Sequence, residues 1–140
     1  MILAIILVSY STLVLPYART NPGIHLTLIG GEFRTYTESL VGAYATEQLD
    51  RFNARIVFFG ADGFSLEHGI TANMVEDAAM VENMVKRGAT KILLADSSKY
   101  GRRGSISFLP MNEIDLLICD KGLPDAAYKQ LTEMIKITFV

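Results

Sequence analysis

Four short clusters hold most of the side chains that could handle a polar ligand. They are Gly30, Gly31, Glu32 and Arg34; Gly60, Asp62 and Gly63; Asp96, Ser97, Ser98 and Lys99 with Arg102 and Arg103; and Asp120, Lys121 and Gly122. Glycines let backbone come close to a ligand, and free amides beside a lysine or arginine suit an anion. The chemistry this set predicts is recognition of a small, polar, phosphorylated molecule. Each cluster also has a plainer reading. Paired glycines make turns, Asp62 between glycines can bond its own turn, and Asp96 can cap a helix or turn. Lys99, Arg102 and Arg103 also fit a solvated loop, and Asp120 to Gly122 a turn before a helix. Other chemistries lack their constellation. No Walker loop is present, no Gly-x-Gly-x-x-Gly follows a strand, and Ser65, Ser97 and Ser98 have no identifiable base. His68 has Glu67 beside it but no third metal ligand at a readable spacing, and His25 falls within a strand pattern. Neither a metal nor a cofactor is expected.

The clusters share one position, just after a short apolar run. Ile24 to Ile29, Ile56 to Phe59, Lys91 to Ala95 and Ile114 to Cys119 read as strands, the second a buried one. Between them lie helix patterns. Glu38 to Phe52 is a loosely periodic one. Met74 to Arg87 is the clearest, with Asn73 as cap, Glu76 three residues on, and Lys86 and Arg87 in the last turn. Gly88 then stands where a left-handed cap belongs. Val75, Ala78, Val81 and Val85 form its inward stripe, with Met74, Met80 and Met84 as core filler. Pro124 opens a helix to about Glu133, and Ile135, Ile137 and Phe139 alternate as a last strand. Strands separated by helices predict parallel β-α-β units: one α/β domain, an open, mostly parallel sheet with flanking helices. In such sheets ligands bind outside the carboxyl ends of the strands, near a switch in strand order. That is where the polar clusters fall.

The first eighteen residues carry no charge, and Met1 to Val8 is strongly apolar. The run breaks at Ser9 to Thr12, short of the roughly 20 residues a membrane helix needs, and no basic residue precedes it. A buried strand followed by a short helix or loop is expected, the alternative being a signal or anchor. The chain has 140 residues, half of them hydrophobic and a fifth charged, which excludes disorder and filament classes. Thirteen basic against fifteen acidic residues, a formal charge of −2, argue against a broad nucleic-acid-binding face. A lone cysteine, Cys119, excludes an internal disulfide and reads as a small buried hydrophobe in a reduced, cytoplasmic setting.

In order along the chain, several segments form a recognisable series. They are Leu28 to Arg34 (Leu-Ile-Gly-Gly-Glu-Phe-Arg), Ser39 to Gly42, Phe58 to Ser65 (Phe-Phe-Gly-Ala-Asp-Gly-Phe-Ser) and His68 to Thr71. Ile92 to Gly101, Ile114 to Asp120 and Gly122 to Pro124 continue it. The series resembles the effector-sensing domain of the DeoR family of bacterial transcriptional repressors from about Pro22 to Val140. The resemblance implies a fold related to ribose-5-phosphate isomerase, glucosamine-6-phosphate deaminase and coenzyme A transferases. It implies a phosphorylated sugar as effector, which changes operator binding by an attached winged helix-turn-helix, and a homo-oligomer. Residue by residue, the family's Asp-x-x-Lys pair falls on Asp96 and Lys99, and its Gly-Ala-Asp-Gly turn on Gly60 to Gly63. Lys99 would then pair with an anionic or carbonyl oxygen, and Asp62 and Asp96 would accept from sugar hydroxyls. Gly30, Gly31 and Gly63 would let backbone approach the ligand. The family's Asp-x-Gly-Thr-Thr phosphate loop, the strand feeding it and the winged helix find no match. The expectation is a sensor domain without those parts, reaching DNA only through a helix-turn-helix domain outside it.

Two other functions fit the scaffold. One is a sugar-phosphate isomerase or deaminase, with Asp62 and Lys99 as base and electrophile. The other is an assembly domain without ligand chemistry. Catalysis is not expected, because no second carboxylate follows Asp62 until Glu67.

Overall fold

A computed structural model describes residues 4–140. The chain divides into two compact units, Met1–Arg51 and Phe52–Val140. In the first, β1 (Ile5–Ser9) leads through a short 3-10 turn, Thr12–Val14, into α1 (Leu15–Thr20) and then β2 (Ile24–Leu28). The two strands pair in parallel, Ile5 opposite Ile24. An antiparallel pair, β3 (Glu32–Arg34) and β4 (Ser39–Val41), precedes α2 (Ala43–Leu49).

Two expectations for this unit are corrected. The first apolar run does form a strand, but not a buried one: Ile5 is 57% and Ile6 81% exposed. Its start, residues 1–3, lies outside the described residues. The helix expected over Glu38 to Phe52 forms only from Ala43 to Leu49. Glu38 takes a left-handed turn (φ 50°) and Ser39 to Val41 pair as β4, burying Ser39 and Val41. Strand pairing overrides a weak helical period here.

The second unit is built on a four-stranded parallel sheet in the order β11-β10-β8-β5. Its strands are β5 (Ala54–Phe59), β8 (Gly88–Leu94), β10 (Leu116–Cys119) and β11 (Lys136–Phe139). Between β5 and β8 the chain makes a hairpin, β6 (Gly63–Ser65) and β7 (Gly69–Ala72), then α3 (Val75–Lys86). β9 (Ile106–Leu109) joins β7 in an antiparallel three-stranded sheet, and α4 (Asp125–Thr132) connects β10 to β11. Helix α3 contacts both sheets, while α4 packs on β11 with Tyr128 against Phe139, ring centroids 5.3 Å apart.

The parallel sheet matches the expected architecture, while the antiparallel one was not foreseen. Crossover from β8 to β10 runs through β9 rather than a helix. Val57, Phe59, Leu93 and Leu117 are buried with Met80, Val81 and Val85 of α3 and Leu131 of α4. The β5 run is half-buried rather than buried, because Ile56 and Phe58 alternate with Val57 and Phe59 and stay exposed. Cys119 is buried, as a small hydrophobe should be.

Two details of α3 differ from expectation. Met74, not Asn73, occupies the cap position with no side-chain bond, and neither Met74 nor Val75 is buried. Gly88 is no left-handed cap. Arg87 ends the helix in the right-handed region, and Gly88 opens β8 where a Cβ would lie 2.4 Å from the Val57 side chain. Among the described residues no helix is long and apolar enough to cross a membrane.

Candidate functional site

Three of the four polar clusters belong to the second unit, and the sheet puts them on one edge. β5, β8 and β10 are parallel neighbours, with Phe59 opposite Leu93 and Leu94 opposite Ile118. The segments that follow them therefore leave by the same side. Gly60 to Gly63 follow β5, Asp96 to Lys99 follow β8, and Asp120 to Gly122 follow β10. Strand order within this sheet does not reverse. The candidate site thus rests on the carboxyl edge alone, without the expected switch in order.

Hydrogen bonds then tie neighbouring segments together. Asp62 donates its N–H to the Thr71 carbonyl (3.0 Å), and its Oδ2 accepts from the Asn73 N–H (2.7 Å). Asn73, expected to cap α3, is instead held by Asp62. Gly63 packs so closely on the next segment that a Cβ would meet the Arg102 carbonyl oxygen at 2.1 Å. Gly101 donates to the Phe64 carbonyl (2.9 Å), and the rings of Phe64 and Tyr100 meet edge-on at 5.7 Å. The Gly63 turn and the chain just after Lys99 are thus pinned side by side.

Asp96 caps a single 3-10 turn, Ser97–Lys99, accepting from the Ser98 N–H (2.9 Å) and from the Ser98 hydroxyl. That hydroxyl, then the N–H, holds the Asp96 pKa below the ordinary carboxylate value, with a smaller contribution from the Lys99 charge. Apart from that influence Lys99 is uncommitted: no carboxylate among the described residues lies within ion-pair distance of its ammonium. The cap reading of Asp96 therefore holds, and it orients the turn that carries Lys99.

Asp120 is the residue that sequence reasoning undervalued. It accepts from the Ser97 N–H (2.5 Å), the Ser97 hydroxyl (2.7 Å) and the Gly122 N–H (2.9 Å). The first of these bonds does most to bring its pKa from 3.8 down to about 2. Asp-Lys-Gly after a strand does signal a turn, but a partner 23 residues away leaves no local signature. The sign of the pH effect follows. A carboxylate depressed in the folded state stabilises above its unfolded pKa, and loses that contribution as pH falls through the folded value. Stability should decline between about pH 4 and about pH 2. Urea midpoints for Asp120→Asn should be lower at neutral pH and fall less steeply over that window. Identical slopes for both proteins would count against the assignment.

Gly30 and Gly31 lie in the first unit. The Gly30 N–H donates to Gln48 Oε1 (3.0 Å), and Gln48 Nε2 donates to the Gly30 carbonyl (2.8 Å). Gly31 sits against α2, where a Cβ would meet both the Ala45 Cβ and the Val41 carbonyl at 2.8 Å. Within their own unit Gly30 is thus held by backbone hydrogen bonds and Gly31 by close packing. Among the described residues no three histidine, cysteine or acidic side chains gather as a metal site. His68 and Glu67 stand 3.8 Å apart, beside an open groove lined also by Phe108 and Pro110, separate from the residues singled out above.

This edge offers a lysine with no ion pair among the described residues, three carboxylates already fixed by protein donors, and closely crossing backbone. Such a set can bind a hydroxylated anion: the ammonium pairs with the anionic group, and ionised carboxylates accept from hydroxyls.

Comparison with known proteins agrees in character. The model of the DeoR C-terminal sensor domain matches residues 3–121. The chain is 38% identical over 113 residues to the HTH-type transcriptional regulator GlpR of Haloferax volcanii, which covers 81% of the chain and 44% of that protein. It is 35% identical over 111 residues to the HTH-type transcriptional repressor GlcR of Bacillus subtilis, covering 79% and 42%. With the regulator IolR of the same species it shares 28% over 102 residues, covering 73% and 41%. The chain spans less than half the length of these relatives.

Proposed function

Because the chain belongs to the DeoR C-terminal sensor domain family, we propose that it senses a phosphorylated sugar at the edge formed by Asp62, Gly63, Asp96 and Lys99. Three relatives named as transcriptional regulators or repressors support a regulatory rather than catalytic role. The observation that carries the proposal is the meeting of three post-strand segments at one sheet edge, with an uncommitted lysine among them. Lys99 pairs with the phosphoryl group, and Asp62 and Asp96 accept from sugar hydroxyls. A ligand that binds two conformations unequally shifts the balance between them, and a helix-turn-helix domain of the same regulator reads that shift at its operator. The regulator acts in the cytoplasm as a homo-oligomer.

A melting-temperature screen of triose, pentose and hexose phosphates, each beside its unphosphorylated sugar, tests the proposal. A ligand that binds only the folded state raises its stability by about 2.7 kcal/mol at a hundred times its Kd. Shifts confined to phosphorylated sugars are expected. Equal shifts with the unphosphorylated partners, or none with any, would overturn the reading.

A further inference from the structure

Thr71 is wholly buried, and with Ser39 it is one of two buried polar side chains among the described residues. A hydroxyl in such a place costs free energy unless both its bonding functions are used, and valine would fill the same volume without that cost. Here both are used. Thr71 Oγ1 donates to the Gly63 carbonyl (3.1 Å) and accepts from the Gly104 N–H (2.8 Å). Its own carbonyl accepts the Asp62 N–H (3.0 Å).

The backbone around it is arranged for this contact. The β7–β9 register slips between Ile70 and Thr71, passing from Leu109 to Ser107, an irregularity that re-aims side chains. Gly104 crosses β7 so closely that a Cβ would lie 2.7 Å from the Ala72 carbonyl carbon and oxygen, as Gly63 does against Arg102. One hydroxyl therefore bridges the turn that carries Asp62 and the segment that follows Lys99.

We propose that Thr71 is a positioning residue, a latch that sets the spacing between Asp62 and the 99–104 segment and thereby the anion affinity of that edge. This rests on the sensor reading above. The latch has a readout that is independent of any ligand: exchange of the Gly104 amide, whose acceptor is the Thr71 hydroxyl.

The test compares the full chain with Thr71→Val and Thr71→Ser, measuring residue-resolved amide exchange and binding of inorganic phosphate. In Thr71→Val the Gly104 amide should exchange roughly ten to a hundred times faster, and phosphate affinity should fall by about tenfold or more. Thr71→Ser keeps the hydroxyl and should stay near the unsubstituted protein in both. Unchanged Gly104 exchange in Thr71→Val overturns the latch. Faster exchange with undiminished phosphate affinity also overturns it, since Thr71 would then be structural only. Should Thr71→Val not fold, Thr71→Ser decides: loosening of Gly104 by loss of the methyl alone overturns the proposal. If the unsubstituted chain binds no phosphate, the proposed control of anion affinity is overturned, while the sugar-phosphate screen above judges the sensor reading separately.

Discussion

Replacing Gly63 by alanine is expected to destabilise the second unit by roughly 3 kcal/mol or more, lowering its Tm by about 10 °C or more. Glycine is required there by space and not by backbone conformation, since Gly63 is absent from the positive-φ positions. A methyl group would sit 2.1 Å from the Arg102 carbonyl oxygen and 2.6 Å from its carbon. Both are backbone atoms, so no rotamer change relieves the overlap. Relief requires β6 and the 100–104 segment to part, which breaks the Gly101 bond to Phe64 and strains the two bonds of the Thr71 hydroxyl. Gly101 supplies the control. Its φ is +81°, yet nothing lies within 4 Å of a Cβ there. Gly101→Ala should cost only the left-handed strain, about 1 kcal/mol. Thermal or urea unfolding measures both. Equal, small losses would mean that the close crossing at Gly63 is not real.

The second large effect concerns binding rather than folding. Lys99→Ala should leave stability within about 0.5 kcal/mol, since the side chain is partly exposed and forms no ion pair among the described residues. The backbone bond from the Lys99 N–H to the Asp96 carbonyl (3.0 Å) survives the change. Loss of a charge-assisted bond to a phosphoryl group is worth about 1.5–3 kcal/mol, which is roughly a ten- to hundred-fold weaker Kd. Joined to a helix-turn-helix domain, as proposed above, the same variant should stay bound to operator DNA at effector concentrations that release the unsubstituted protein. Retained affinity in Lys99→Ala would remove the lysine from the account, even if the sugar phosphate still bound elsewhere.

How far the sequence could be read depended on the range of the interaction. Apolar runs at Ile56, Lys91 and Ile114 announced β5, β8 and β10, because short runs rich in aliphatic, β-branched and aromatic residues favour strands even where, as in β5, one face stays exposed. The polar clusters after them could be placed for the same reason: parallel strands release their loops at one edge. Short antiparallel strands were not visible. β6 and β7 have three and four residues, each with a glycine, and present too few positions for a period. Ser39 to Val41 passed as helix because its pairing to Glu32 to Arg34 depends on the turn at Glu38. Partners distant along the chain were equally hidden. Asp120 bonding to Ser97, Asp62 to Asn73 and Thr71 to Gly104 each join segments whose own residues suggest only turns or solvated loops.

As proposed, the turn at Asp62 and the turn at Asp96 to Lys99 hold one phosphorylated sugar between them. Amide chemical-shift mapping tests this directly, with the sugar phosphate that raises the melting temperature most as titrant. Coordinated, saturable shifts at Asp62, Gly63, Asp96 and Lys99, all giving one Kd, are the predicted result. Saturable shifts confined to other surfaces, with these four amides unmoved, would contradict it.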